Sequence, residues 1–340
     1  MKICYSATPY RSHRRVAAGY AEVLRQRYDL VPEDRYTEAD VVVLHHEPKA
    51  YDGIYARYPE LVRKYVVGCC VWDANGLPES HRRAVSRLQE IWTCSRFSFA
   101  AFAPHHSRVF RIPYIVERPA PCTAEDLERV RTAIRYRDDA IYFLGIARLS
   151  DRRKNVPALV DAFVRQCACM PRARLIVKIS AQEPEPTVQH PQLTWLRELL
   201  SDAEITALYQ LAHVYVSAHH AEGWGLTLSD AMLLGTPVIA TGYSGNLDFM
   251  TARNSYLLDY TEERIRAVDC FGPFDEDAGM RWAYPDEDDL ARKLRLLYDS
   301  LGSEEVAARR RRATQDIECF SRRHVAPRLL ARMAAIASDI

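Results

Sequence analysis

Residues 222–250 read EGWGLTLSDAMLLGTPVIATGYSGNLDFM, and this stretch decides how the chain is organised. Gly223 and Gly225 mark a sharp turn after the apolar run Val214–Ser217 (VYVS), and 227–234 continue at helical spacing. Residues 237–241 (PVIAT) then form a second short apolar run. A strand, a glycine turn, a helix and another strand make one unit of a parallel sheet. The start of such a helix presents unpaired backbone N–H groups and the positive end of its dipole, which favour an anion such as phosphate. Glu222 stands just before that start, and Asp230 lies eight residues further along. A carboxylate beside an anion site is costly unless it accepts hydrogen bonds, as it would from sugar hydroxyls. Taken alone, the same residues also describe a surface glutamate ahead of an ordinary helix.

Working outward, the pattern repeats. Residues 140–146 (AIYFLGI), 174–179 (RLIVKI) and Leu193–Leu196 are short apolar runs, and helix-length stretches fall at 157–167 and Asp202–Leu211. The first half shows the same alternation, with strand patterns at 2–6, 41–44, 65–72, 90–94 and 108–112. Helical spacing there covers 12–27, 78–89 and 97–103. Nearly continuous apolar strands with helical crossovers mean parallel sheets covered on both faces. Between 113 and 139 the cycle breaks at Pro119, Pro121 and a charged stretch. The predicted architecture is α/β, with two Rossmann-like doubly wound domains facing a central cleft. The boundaries are 1–138 for the first domain and 139–320 for the second. A final helix over 321–340 is long enough to pack back on the first. Ligands of such sheets bind at strand carboxyl ends.

Composition narrows the options. The chain has 340 residues, 48% hydrophobic and 27% charged, which excludes a disordered, collagenous or coiled-coil protein. Its formal net charge of +1 gives no reason to expect nucleic acid as a partner. Nine cysteines, without C-x-x-C or zinc spacing, read as reduced thiols. No run of about 18 apolar residues occurs, and the start MKICYS lacks a secretory pattern. The expected location is cytoplasmic, at most peripheral at the inner membrane face. Residues 1–139 hold 22 Lys and Arg against 18 Asp and Glu, too small a surplus to assert lipid docking.

The 222–250 stretch resembles the signature of retaining family 4 glycosyltransferases, which have the GT-B fold. Their pattern is two acidic residues eight apart, a glycine-rich turn, then A-M and G-x-P-V-I-A. It is met here by Glu222, Gly223, Trp224, Gly225, Leu226, Asp230, Ala231, Met232, Gly235, Pro237, Val238, Ile239 and Ala240. The continuations SGNLDFM, NSYLLDY and RWAYPDEDDL are similar to members that build bacterial surface polysaccharides. Upstream, GIARLSDRRKNVPALVDAF carries Arg148 and Lys154 at the family's six-residue spacing, with Arg152 and Arg153 as competitors. In the first half, CVWDANGLPESHRR and EIWTCSRFSFAAF resemble the same members and set Asp73 at a strand end.

The resemblance implies a glycosyltransferase that moves a sugar from a nucleoside diphosphate sugar to a hydroxyl of a glycan or lipid-linked acceptor, with retention. The base (UDP, GDP or dTDP) stays open. Glu222 would hold the donor sugar, and Arg148 with Lys154 the departing diphosphate. Gly223, Trp224, Gly225, Leu226 and Thr227 would line the donor, and Asp230, where the family commonly has Glu, would meet the ribose. Asp73 reads equally as an acceptor-orienting carboxylate or a turn cap. His45, His46 and Arg11 are candidates for the acceptor side. No D-x-D motif is placed to hold a metal, so neither metal nor cofactor is expected. Two other readings are a sugar-nucleotide epimerase and a non-catalytic donor-binding scaffold. On the glycosyltransferase reading, Glu222→Ala or Lys154→Ala should fold normally and lose most transfer.

Overall fold

The computed structural model describes residues 1–274 and 279–340. The chain divides into two compact units. The first gathers Met1–Ile115, Gly272–Arg281 and Cys319–Ile340; the second gathers Val116–Phe271 and Trp282–Glu318.

The first unit is built on six strands: β1 (Lys2–Ala7), β2 (Asp29–Val31), β3 (Val41–His45), β4 (Tyr65–Cys69), β5 (Glu90–Thr93) and β6 (Val109–Arg111). They lie in the order β2-β1-β3-β4-β5-β6, every pair parallel. Strands such as VVVLH are buried along their whole length, as a sheet covered on both faces demands. The strand order reverses between β1 and β3, which makes that gap the switch point of the sheet. The helix Arg322–Asp339 belongs to this unit and packs on the helix Arg11–Leu24. Arg332 grips the fully buried Glu90 from this helix, Nε to Oε1 at 3.0 Å and Nη2 to Oε2 at 2.5 Å. Trp92 Nε1 and the Tyr65 hydroxyl also donate to Glu90, at 2.6 and 3.0 Å. Arg108 Nη2 lies 3.4 Å from Oε2 as well, and a buried carboxylate so surrounded is satisfied.

The second unit has β7 (Ile141–Ile146), β8 (Ala173–Lys178), β9 (Leu193–Leu196), β10 (Val214–Ser217), β11 (Val238–Thr241) and β12 (Tyr256–Leu258). Their order is β12-β11-β10-β7-β8-β9, again all parallel, with the reversal between β7 and β10. Phe143, Leu175, Val177, Val214 and Ile239 meet Leu159, Phe163, Leu290 and Leu294 in its core. The last four come from the helices Val156–Gln166 and Glu287–Ser300. Each such side chain removed from water contributes about 1.5–3 kcal/mol. Helix Leu226–Leu233 packs on β10, β11 and the helix Glu304–Ile317. A separate two-stranded sheet pairs β13 (Tyr260–Arg264) with β14 (Arg281–Pro285).

The division differs from the expected 138/139 boundary. The charged stretch read as a linker holds the helix Ala124–Ala133, capped reciprocally by Thr123 and Asp126. That helix packs on Asp202–Leu211, so the second unit begins at Val116. Low apolar content hid it: only Val130 within it is buried. Residues 272–281 counting with the first unit was likewise not anticipated.

Candidate functional site

Two loops leave the carboxyl edge of the second sheet on either side of its switch point. The loop after β7 carries Arg148 to Lys154, and the loop after β10 carries His219 to Gly225. Asn155 adopts a left-handed conformation (φ 48°), which turns the chain from Lys154 into the helix Val156–Gln166. Asparagine tolerates that region better than most residues. Gly225 is also left-handed (φ 92°) and caps the helix Leu226–Leu233, where its carbonyl accepts from the Leu228 and Ser229 amides, both at 3.0 Å. An added Cβ there would lie 2.8 Å from Leu228 Cδ1.

Glu222 is 5% exposed and held by two cations. Lys154 Nζ bonds its Oε1, and Arg153 Nη1 lies 3.2 Å from its Oε2. Burial alone would raise the Glu222 pKa; the positive charges of Lys154 and Arg153 outweigh it and bring the value to about 2. The carboxylate is therefore ionised throughout the neutral range. Arg153 donates further to the Ala221 carbonyl (2.6 Å) and to Asp151 Oδ2 (2.9 Å). Its backbone carbonyl accepts from the His220 amide at 2.8 Å.

A third loop, after β11, locks the arrangement from behind. The Glu222 amide donates to Ser244 Oγ (2.7 Å), and the Gly245 amide donates to the Glu222 carbonyl (2.7 Å). Ser244 sits at φ 77°, an uncommon conformation for a residue with a side chain, held by these contacts. Any Cβ on Gly245 would fall 2.1 Å from the Gly223 oxygen, so only glycine fits. His219 is wholly buried, with Ser217 Oγ 3.0 Å from Nδ1 and Asn246 Oδ1 3.3 Å from Nε2. Burial lowers its pKa to about 4, against the opposing pull of Glu222, and it stays neutral.

Arg148 lies on the same edge, its side chain 63% exposed, with Nε 3.6 Å from Glu183 Oε1. Glu183, in the loop after β8, also accepts from the Ser150 amide (3.0 Å) and hydroxyl (2.9 Å). An exposed guanidinium over a braced loop, a buried lysine–glutamate pair and a glycine-capped helix start can together bind an anionic group and a hydroxylated one beside it. Among the described residues, no three His, Cys, Asp or Glu side chains gather into a metal-holding set.

Residues 140–269, which span these loops, match the family model described as glycosyl transferases group 1. Across the whole chain, the Anabaena protein Alr3699/HepE, solved in complex with UDP and glucose, is similar in structure (TM-score 0.66, 14% identity, 100% of both chains). Sucrose-phosphate synthase of Thermosynechococcus elongatus is another such structure (TM-score 0.62, 13% identity, 98% of this chain and 82% of that one). A third is the pneumococcal O-GlcNAc transferase GtfA in complex with UDP and GlcNAc (TM-score 0.55, 15% identity, 96% and 60%). At these identities the likeness establishes the GT-B fold. No curated protein sequence matches the chain.

Within the second unit, other expected donor residues are placed unevenly. The Trp224 indole turns inward, 5.0 Å from the Phe249 ring, so only its backbone is left to face a ligand. Asp230 is buried on the same short helix, and the Thr227 carbonyl accepts from the Tyr209 hydroxyl at 3.0 Å. Gly223 and Leu226 flank the Gly225 turn.

In the first unit, Asp73 sits half-buried in the bend after β4, and Arg11 is the exposed first residue of its helix. His45 does not line a surface. It is completely buried, with Nδ1 3.1 Å from the Tyr5 hydroxyl and its ring 5.2 Å from His13. His46, half-buried, pairs through Nε2 with Ser6 Oγ at 3.0 Å. A strand-end histidine pair looks the same in sequence whether it turns outward or inward.

Sequence reasoning kept Arg153 only as a rival for the role given to Lys154, whereas the two share Glu222. It missed Ser244, Gly245, His220 and Glu183. For Ser244 and Gly245 a signal existed in the small residues of GYSGN, where a glycine marks close backbone approach.

Proposed function

We propose that the protein is a retaining glycosyltransferase that takes a sugar from a uridine diphosphate sugar to a hydroxyl of a glycan or lipid-linked acceptor. The observation that carries this reading is the ionised Glu222 held between Lys154 and Arg153 at the sheet's switch point, beside the Gly225-capped helix start. The choice of uridine is supported by the complexes of HepE with UDP-glucose and of GtfA with UDP and GlcNAc.

On this reading Arg148, Lys154 and the amides from Gly223 to Thr227 receive the diphosphate, and Glu222 accepts hydrogen bonds from the donor sugar. Asp230 holds the ribose, and Asp73 orients the acceptor. As the bond from the sugar's anomeric carbon to the phosphate oxygen breaks, charge builds on the leaving diphosphate. Fixed cations and oriented N–H groups stabilise that charge most in the transition state. A double displacement would need a carboxylate free to attack the anomeric carbon. Glu222, engaged by two cations, is poorly suited to attack. Front-face substitution fits better: the acceptor oxygen bonds to the anomeric carbon on the face the diphosphate leaves. The acceptor proton passes to the departing phosphate oxygen. The chemistry assigns no step to a metal. The expected setting is the cytoplasm, with contact at the inner membrane face if the acceptor is lipid-linked.

The test is a panel of UDP-, GDP- and dTDP-sugars read by calorimetry and donor hydrolysis, with NMR assignment of the anomer in the transferred product. A UDP-sugar should bind best and the product should keep the donor's configuration; an inverted anomer would overturn the mechanism. Lys154→Ala, which leaves Glu222 paired with Arg153, should keep its melting temperature within a few degrees and lose about 10²–10³-fold in turnover. Unchanged turnover would remove Lys154 from the machinery.

A further inference from the structure

We propose that β14 fixes the geometry of the sugar-gripping Glu222 through His220, which makes His220 a positioning residue for donor-sugar recognition. This rests on the donor-site reading above and adds a part of the molecule that the reading did not use: the two-stranded excursion between β12 and the helix Glu287–Ser300.

His220 is 3% exposed and tied on every side. Its Nδ1 lies 2.8 Å from the Ala283 carbonyl, while the Ala283 amide donates to the His220 carbonyl at 3.0 Å. These two bonds fasten β14 to the loop after β10. With Nδ1 donating to a carbonyl, the tautomer and the ring plane are both set. The ring lies parallel to Trp282 (5.7 Å between centroids, 6° between planes) and 4.5 Å from Tyr284. Trp282 is itself fully buried.

The excursion is braced internally, so it can act as an anchor. The Tyr284 hydroxyl accepts from the Arg266 amide (2.8 Å) and lies 3.1 Å from Asp269 Oδ2. The Arg266 guanidinium covers the Tyr284 ring at 3.7 Å. The Asp286 amide then bonds the Asp259 carbonyl at 2.8 Å and closes the base of the excursion.

From the other side, the His220 amide bonds the Arg153 carbonyl at 2.8 Å, and Arg153 reaches back to Ala221 and Glu222. His220 therefore joins β14, the loop after β7 and the segment bearing Glu222. Charge-assisted contacts to a sugar demand placement within fractions of an ångström, and a shift of about 1 Å can cost about 10²-fold. Burial holds the His220 pKa below its ordinary value, so the neutral, donating ring persists through the neutral range.

The experiment compares His220→Phe, His220→Asn and Trp282→Leu with the unaltered protein. UDP and a UDP-sugar are titrated separately, with kcat and KM for donor hydrolysis and a melting curve for each protein. Phe keeps the stacked ring and loses the bond to Ala283; Asn restores a donor at the Nδ1 position. His220→Phe should bind UDP within about twofold of the unaltered protein. It should lose about tenfold or more in preference for the UDP-sugar and in kcat. His220→Asn should recover most of that loss. Trp282→Leu, altered outside the Glu222 loop, should reproduce a smaller part of it.

The proposal is overturned if His220→Phe keeps both the sugar preference and kcat, or if Asn rescues nothing. It is equally overturned if UDP binding falls in parallel with sugar binding, because a merely structural residue would weaken both. The parent reading fails separately, and visibly first, if the unaltered protein binds no sugar nucleotide.

Discussion

The two sheets carry the same kind of switch point and furnish it oppositely. Between β7 and β10 the chain places the cations Lys154 and Arg153 on the buried carboxylate of Glu222. Between β1 and β3 it places His45 and His46, with His13 against them. Burial, together with the neighbouring imidazoles, holds His45 well below its ordinary pKa; burial and His13 bring His46 to about 4. The first edge holds its buried carboxylate ionised, and the second holds its buried histidines neutral. The same switch-point architecture thus carries opposite electrostatics in the two units.

The comparison is broken most directly at Glu222. Removing one partner of a buried ion pair leaves the other charge unpaired, at a cost of about 3–5 kcal/mol. Glu222→Ala should therefore lose stability as well as transfer, contrary to the normal folding expected from sequence. Glu222→Gln should be less damaging, because the amide oxygen still accepts a hydrogen bond. Equilibrium urea unfolding of both variants decides this, and an unchanged midpoint for Ala would mean that the pair is not the buried unit described.

Gly245→Ala probes the same edge through the backbone. Its Cβ would overlap the Gly223 carbonyl, and such overpacking costs about 1–3 kcal/mol. Faster amide hydrogen exchange in the Glu222 loop should accompany the loss. If exchange and melting temperature both match the parent, the three-loop lock is looser than the geometry states.

The neutral edge should respond to pH and little to conservative substitution. The unfolded chain binds protons on these histidines below about pH 6.5, while in the folded chain burial holds His45 and His13 below that range and His46 at about 4. Stability at this edge is thus present above pH 6.5 and falls as pH drops toward 4. Glu222, with its pKa depressed to about 2, contributes stability above its ordinary pKa near 4.5 and loses it only as pH falls toward 2. Urea midpoints at pH 7, 5 and 3 should show the first decline before the second. His45→Phe should flatten the first decline and shift stability at pH 7 by only about 1 kcal/mol. A steep decline that persists in the variant would assign it to other groups, such as His81 or His219, whose pKa values burial also lowers to about 4.

What could be read from sequence follows from how local each feature is. The strands β9 and β10 and the helix Asp202–Leu211 fall where their apolar runs and periodicity put them. The three-residue strands β2 and β12 were missed, whereas the equally short β6 stood out within the run 108–112. Glu222, Lys154 and Gly225 stood out because their loops combine glycine, charge and fixed spacing. The roles of Ser244, His220 and Glu183 come from partners 22, 63 and 33 residues away, which no local pattern encodes. The inward turn of His45 depends on the helix above it, and the identity of the residue is silent on that.

One feature of the first unit bears on how the molecule is made. Its six-stranded sheet begins at Lys2, yet Arg332 must arrive to satisfy Glu90 at its interior. During synthesis, residues 319–340 leave the ribosome only after the whole of 116–318 has emerged. The unit that starts first is therefore completed last, and until that helix docks Glu90 is held by Trp92, Tyr65 and Arg108 without Arg332. A stalled or shortened chain should be recognised by cellular quality control through the first unit, while the second is already folded.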